Sequence, residues 1–165
     1  MKVILYMTIS ANGMIAKKGG RATFISKESG ESLSNLAKST RCVIYGKGAF
    51  DGEPIEGALN LVLTHDTTLK SDKEKFMFMS GDPKKVLNKV EMHGYTSVLL
   101  VGGAKTNKEF IAADLVDEIY FDIEPILLGK GIKIFDDGDF ETNLELLETK
   151  QLSPNEIQLH YKVVR

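Results

Sequence analysis

Tryptophan is absent from this chain of 165 residues, cysteine occurs once, histidine three times and proline four times. A single cysteine excludes an internal disulfide and points to a reducing compartment. Cys42 lies inside the apolar run Cys42-Val43-Ile44-Tyr45, where a thiol serves as a small buried hydrophobe. His65, His93 and His160 are too scattered to give a metal-ligand spacing, so no metal is expected. Basic residues do not exceed acidic ones: 21 Lys and Arg stand against 23 Asp and Glu, a formal net charge of −2. That balance argues against the broad positive face that binds nucleic acid or an anionic membrane. Long apolar runs are missing as well. A membrane-spanning helix needs roughly 20 apolar residues, and the run Lys2-Val3-Ile4-Leu5-Tyr6-Met7 is broken by Thr8, Ser10 and Asn12 before a secretion signal is complete. It reads as a buried first strand. Neither G-x-G-x-x-G nor G-x-x-x-x-G-K-[ST] occurs, and no Ser/His/Asp or Cys/His set suggests a nucleophilic site. The expectation is one soluble, cytoplasmic domain whose ligands are small molecules.

What is present is a series of apolar runs that stop at small residues. The most informative is Ser97-Val98-Leu99-Leu100-Val101, an unbroken apolar strand that ends at Gly102-Gly103 and runs on into a helix. Paired glycines let backbone N–H groups approach a phosphate, which the following helix N-terminus also attracts. Thr106 with Glu109 three residues on has the form of a capping box, predicting a helix from about Asn107 to Ala113. The strand Cys42–Tyr45 ends in a second glycine turn, Gly46-Lys47-Gly48-Ala49-Phe50, and the strand Leu59–Leu63 ends in the polar cluster Thr64-His65-Asp66.

Other elements follow from caps and periodicity. The first strand covers roughly Val3 to Ile9, and Ser10 to Arg21 is a polar, glycine-containing loop. Ser26 offers an N-cap, Glu28 favours the positive end of the helix dipole, and Leu33, Leu36 and Ala37 supply an apolar face up to about Ser39. Phe76–Met79 is a short strand; Asp82-Pro83 opens a helix with buried Val86, Leu87 and Val90, ended by Gly94. Glu118 to Ile123 alternates as a strand, Pro125 to Phe135 is a glycine-punctuated apolar loop, and Leu144–Leu152 with Ile157–Val164 forms an antiparallel hairpin about Ser153-Pro154-Asn155-Glu156. Alternating strands and helices predict an α/β fold with a largely parallel sheet, ligands at the carboxyl ends of the strands, and an antiparallel C-terminal edge.

Four segments in order, Thr8-Ile9-Ser10-Ala11-Asn12-Gly13-Met14-Ile15-Ala16, Tyr45-Gly46-Lys47-Gly48-Ala49-Phe50, Gly102-Gly103-Ala104, and Leu115-Val116-Asp117-Glu118 followed by Pro125-Ile126-Leu127-Leu128-Gly129-Lys130-Gly131, closely resemble the dihydrofolate reductase superfamily. Within it the chain looks like the riboflavin-biosynthesis reductase branch, and the resemblance spans nearly the whole length. It implies a three-layer dihydrofolate reductase-like fold, NADPH as cofactor, hydride transfer to a small nitrogen heterocycle such as a pterin or pyrimidine, and a homodimer formed through the C-terminal strands and the preceding loop. By position it implies that Ile9 and Ala16 border the nicotinamide and that Gly102, Gly103, Ala104, Lys105, Thr106 and Asn107 hold the pyrophosphate. Gly46, Gly48 and Ala49 then close over it, with Lys47, Thr64 and His65 toward the adenosine phosphate. It further implies a cis peptide bond between Gly102 and Gly103. A lysine at position 47 favours NADPH over NADH as a point charge for the ribose 2′-phosphate.

The chain departs from the riboflavin reductases where they place a glutamate before the paired glycines and an S-x-W segment before the first helix; here stand Val101 and Ala22-Thr23-Phe24. Phe24 remains a residue that could stack on a flat ring. Dihydrofolate reductases place a carboxylate on the first helix to protonate or orient the pterin, for which Glu28 and Glu31 are the candidates. Hydride transfer requires no side-chain nucleophile, because the cofactor carries the chemistry. Two other readings stay open: the riboflavin-pathway 5-amino-6-(5-phosphoribosylamino)uracil reductase itself, and a nucleotide-binding protein without catalysis.

Overall fold

The computed structural model describes residues 1–72 and 76–165. Its strands are rich in Val, Ile, Leu and Tyr, and its first two helices start at side chains that cap their free N–H groups. The elements run β1 (Lys2–Ser10), β2 (Met14–Lys17), α1 (Lys27–Thr40), β3 (Cys42–Gly46), β4 (Leu59–Leu63), β5 (Met77–Met79), α2 (Pro83–Met92), β6 (Ser97–Leu100), α3 (Ala104–Ala112), β7 (Glu118–Glu124), β8 (Gly131–Lys133), β9 (Asn143–Ser153) and β10 (Glu156–Val164). Ser26 Oγ accepts from Ser29 N–H at 3.0 Å to open α1, and Asp82 Oδ1 accepts from Lys85 N–H at 3.0 Å to open α2, with Pro83 in its first turn. Both caps agree with the sequence reading.

Among the described residues the main sheet has the order β5-β4-β3-β6-β1-β7-β10-β9. The pairs from β5 to β7 are parallel, and β10 pairs antiparallel with both β7 and β9. Alternation along the strands builds a layer on each face. Val3, Leu5, Cys42, Ile44, Val98 and Leu100 face α2 and α3, while Ile4, Tyr6, Val43, Tyr45 and Leu99 face α1. This is the three-layer, mostly parallel sheet with antiparallel C-terminal strands that the residues predicted. Cys42 is fully buried and burial pushes its thiol up to about 12, so it packs as a hydrophobe.

Two expectations need correction. The segment Ser10–Arg21 is not only a loop: β2 within it pairs antiparallel with β8, inside the apolar stretch 125–135, and Asn12 holds the two together by donating to the Leu128 carbonyl at 2.9 Å and accepting from its N–H at 3.1 Å. Second, α3 begins at Ala104, not Asn107, with Gly103 as its N-cap and no side-chain cap. Thr106 therefore lies in the first turn, where its side chain is buried rather than reaching back as a capping box. The first helix runs to Thr40, in line with the expected end near Ser39, and is closed by Arg41, which takes the left-handed conformation (φ 58°) usually given to glycine.

Candidate functional site

Parallel strands deliver their carboxyl ends to one edge, and there β1, β3, β4 and β6 surround a cleft of about 940 Å³. One wall is made by two turns that interlock. Gly46 N–H donates to the Gly102 carbonyl at 2.6 Å, tying the end of β3 to the turn after β6. Gly102 has φ +95° and lies against the Met7 thioether, 3.2 Å from where a Cβ would stand, so a side chain there would be strained and crowded. The Gly102–Gly103 peptide is cis, as the resemblance implied.

Past Gly103 the first N–H groups of α3 have neither a helical partner nor a side-chain cap, and Gly103, Ala104, Lys105 and Thr106 line the cleft. The chain thus presents free amide donors at the positive end of a helix dipole, with a lysine in the first turn. Opposite, Lys47–Ala49 forms a single 3₁₀ turn whose Ala49 Cβ stands 3.7 Å from the position of a Cβ on Gly103, so the turns face each other closely through small residues. Lys47 Nζ lies 3.9 Å from Asp66 Oδ2, both half-exposed, and the Thr68 hydroxyl and N–H, followed by Lys47, hold Asp66 below its ordinary value. Lys105 similarly faces Glu109 at 3.9 Å. This donor set fits the phosphates of a dinucleotide.

The other half of the cleft is walled by Ile25, Leu33, Phe50 and Ile55, with Tyr45 packed on Phe50 at a centroid distance of 5.3 Å. Its floor is the end of β1. Tyr6, Met7 and Thr8 all border it, and the Tyr6 and Thr8 hydroxyls lie on one face of the strand. Tyr6 Oη lies 2.7 Å from the Ser29 carbonyl oxygen, 2.7 Å from Asp122 Oδ2 and 3.2 Å from Thr8 Oγ1. Asp122 is wholly buried, and its Oδ1 accepts from Gln158 Nε2 at 2.6 Å. Burial above all raises its carboxyl, reinforced by Glu124 and opposed by hydrogen bonds from Tyr6, Gln158 and Ser32. Burial likewise pushes the Tyr6 phenol far upward.

Of the residues selected from sequence, Ala16, Gly46, Lys47, Gly48, Ala49, Thr64, His65, Gly103, Ala104, Lys105 and Thr106 line the cleft. Gly102 sits behind it. Ile9 packs against the core and is outside the lining, whereas Met7 and Thr8 before it are part of it. Asn107 is buried and spends its amide on the Ile134 carbonyl at 2.9 Å. Phe24 is outside the lining, whereas its neighbours Thr23 and Ile25 reach it. Glu28 and Glu31 line a separate hollow against β9 and β10, and the exposed Glu31 pairs with Lys27 at 3.6 Å. The Ser10–Arg21 segment, expected to wall the substrate pocket, contributes Ile15, Ala16, Gly20 and Arg21 to the lining. Sequence reasoning passed over Tyr6, Thr8 and Asp122; a threonine at the end of an otherwise apolar buried strand was the available signal. Among the described residues no three His, Cys, Asp or Glu side chains group as a metal site, and no helix is long and apolar enough to cross a membrane.

Comparison with known proteins agrees with this architecture. The uncharacterized protein YwjB of Bacillus subtilis is 27% identical over 170 residues, covering 97% of each chain. A pyrimidine reductase-like protein of Corynebacterium diphtheriae superposes with a TM-score of 0.81 at 15% identity, covering 99% of this chain and 92% of that one. Dihydrofolate reductase from Enterococcus faecalis, complexed with NADP(H), superposes with a TM-score of 0.74 at 17% identity over 98% and 96% of the two chains. With residues 1–158 matching the family described as the RibD C-terminal domain, the chain belongs to that family and carries the dihydrofolate reductase-like fold.

Proposed function

We propose that the protein is an NADPH-dependent reductase of a small, planar nitrogen heterocycle of the pterin or pyrimidine type. The observation that carries this is the uncapped start of α3 facing the Lys47–Ala49 turn across a cleft whose other half is apolar. Bound there, NADPH would supply a hydride. Gly103, Ala104, Lys105 and Thr106 would hold its pyrophosphate through backbone N–H groups, and Lys47, with Thr64 and His65 beside it, would receive the 2′-phosphate. Ala16 would lie against the nicotinamide, while Ile25, Leu33, Phe50 and Ile55 clamp the heterocycle and exclude water. Glu28 and Glu31, turned toward the other hollow, have no part in this reading.

The family match supports a second reading, the riboflavin-pathway uracil reductase, which complementation of a riboflavin auxotroph would separate from the first. Oxidation of NADPH, followed by absorbance against pterins, pyrimidines, flavins and quinones, tests the proposal. Turnover with a heterocycle supports it; binding without turnover of any of them leaves a nucleotide-binding protein.

A homodimer through β9 goes with this reading. That strand is an exposed sheet edge of 11 residues carrying Leu144, Leu146 and Leu147, of which Leu146 is 54% exposed. An unpaired edge of that length and apolar content requires a cover. Sedimentation would show a dimer that Leu146→Lys dissociates, and a monomeric parent protein would refute it.

A further inference from the structure

The hydrogen atoms around Tyr6 can be counted. Its hydroxyl carries one, and two oxygens lie 2.7 Å away: the Ser29 carbonyl, which only accepts, and Asp122 Oδ2. If Tyr6 donates to an ionised Asp122, its lone pairs face those of the Ser29 carbonyl at hydrogen-bond distance, a repulsive contact in a buried place. If Tyr6 donates to Ser29, the short contact to Asp122 becomes a hydrogen bond only when the proton is on Asp122. Tyr6 Oη then gives one hydrogen bond and accepts from Asp122, with a further lone pair for the Thr8 hydroxyl at 3.2 Å.

The surroundings agree. Asp122 is 0% exposed and Tyr6 2%, and the groups facing Asp122 from each neighbouring element are uncharged or acidic. They are Tyr6 and Thr8 from β1, Ser29 and Ser32 from α1, Gln158 from β10 and Glu124 on β7 itself. No salt bridge compensates it among the described residues. A buried carboxyl without a counter-charge keeps its proton. The chain of hydroxyls leads one way: Asp122 is outside the cleft, while Tyr6 and Thr8 line it.

We propose that Asp122 is the proton store of the site and that Tyr6 and Thr8 relay its proton to the ring nitrogen of the bound heterocycle. This rests on the reductase reading given above. In the step, the Thr8 O–H bond breaks as the lone pair of the ring nitrogen forms N–H. For this the Tyr6 O–H turns from the Ser29 carbonyl to Thr8 Oγ1, 3.2 Å away, and the Thr8 O–H turns from Tyr6 to the ring nitrogen; Thr8 Oγ1 then takes the Tyr6 proton and Tyr6 Oη that of Asp122, leaving a single negative charge on Asp122 and a positive one on the heterocycle. The cation is then ready for a hydride, and solvent restores the Asp122 proton after product leaves. Thr8 is the residue that touches substrate; Tyr6 and Asp122 act through it.

The test needs no turnover. The infrared carbonyl stretch of a protonated carboxylic acid is recorded at neutral pH for the wild type, Asp122→Asn, Tyr6→Phe and Thr8→Val, each with NADPH. Each is then titrated with 2,4-diamino-6,7-dimethylpteridine, whose ultraviolet spectrum distinguishes its neutral and protonated forms. The expected result is an acid band in the wild type that Asp122→Asn lacks. On pteridine binding that band disappears as the pteridine becomes protonated. In Thr8→Val, which preserves the shape of the strand, the band persists and the bound pteridine stays neutral. Absence of the band from the wild type overturns the proposal, as does a band that ignores the pteridine, a pteridine that fails to bind, or equal pteridine protonation in all four proteins. Failure of NADPH to bind is seen separately and overturns the reductase reading, whatever the band shows.

Discussion

The Thr106 hydroxyl occupies the space that a side chain at Gly46 would need: a Cβ built on Gly46 collides with Thr106 Oγ1. Gly46 ends β3 and Thr106 lies in the first turn of α3, so this pair sets how closely the two turns of the proposed phosphate site approach.

Gly46→Ala therefore forces α3 away from β3. It is expected to cost about 1–3 kcal/mol by denaturant midpoint, the range for overpacking a filled site. Adding Thr106→Ala removes the colliding oxygen and should restore part of the loss. A double variant no more stable than Gly46→Ala would show that the contact is not the cause.

Arg41 closes α1 at φ 58°, a conformation that costs a side-chain-bearing residue about 1–2 kcal/mol. Its closing hydrogen bond, from its own N–H to the Ala37 carbonyl at 2.8 Å, uses the backbone alone. Arg41→Gly keeps that bond and relieves the strain, offset by the greater freedom of the unfolded chain. A net gain of about 0.5–1 kcal/mol in thermal or chemical denaturation is expected.

Asp122 carries a pH signature. Burial raises its folded-state value above that of the unfolded chain, so the folded protein binds this proton more tightly. The associated stability is complete below the unfolded carboxylate value and is lost as pH rises through the folded one. Stability of the wild type relative to Asp122→Asn should therefore fall as pH increases. Urea denaturation across a pH series measures it, and a difference that grows with pH would contradict the protonated buried acid.

Glu118 has the opposite sign. Burial pulls its carboxyl upward, but Lys2 at 2.7 Å and His160 at 3.0 Å outweigh it and hold the group below its ordinary range. Its stability contribution is present above the unfolded value and disappears as pH falls through the folded one. Glu118→Gln should cost about 1 kcal/mol at neutral pH, since Lys2 is half-exposed. That cost should vanish in acid, and one that persists there would mean that packing rather than charge is lost.

Elements whose ends are decided locally were legible in the residues. Ser26 and Asp82 cap their own helices, and apolar runs such as Val98–Leu100 can only be buried strands. Thr106 and Glu109 satisfied the same local rule and misled, because the Thr106 hydroxyl is packed against Gly46, 60 positions earlier in the chain, and caps nothing. The pairing of β2 with β8 was hidden for a related reason: Met14 meets Lys133 only once the fold brings them together.

The site divided along the same line. The turns that end strands in glycine could be read from sequence, and most of their residues do line the cleft. The polar network under the other half could not. The alternation of Glu118–Ile123 suggested a strand with one apolar face, yet Asp122 and Glu124 are buried within it. Their partners, Tyr6, Ser29 and Gln158, come from three separate elements, so no spacing in the sequence announces them.

The central claim is that the turns after β3 and β6 hold NADPH. Titration of purified protein with NADPH and with NADH, followed by fluorescence and repeated on Lys47→Ala, tests it most directly. NADPH should bind more tightly than NADH, and loss of the lysine charge should weaken NADPH by about tenfold, the scale of one charged hydrogen bond, with little effect on NADH. Binding of neither nucleotide would contradict the account and leave only the fold.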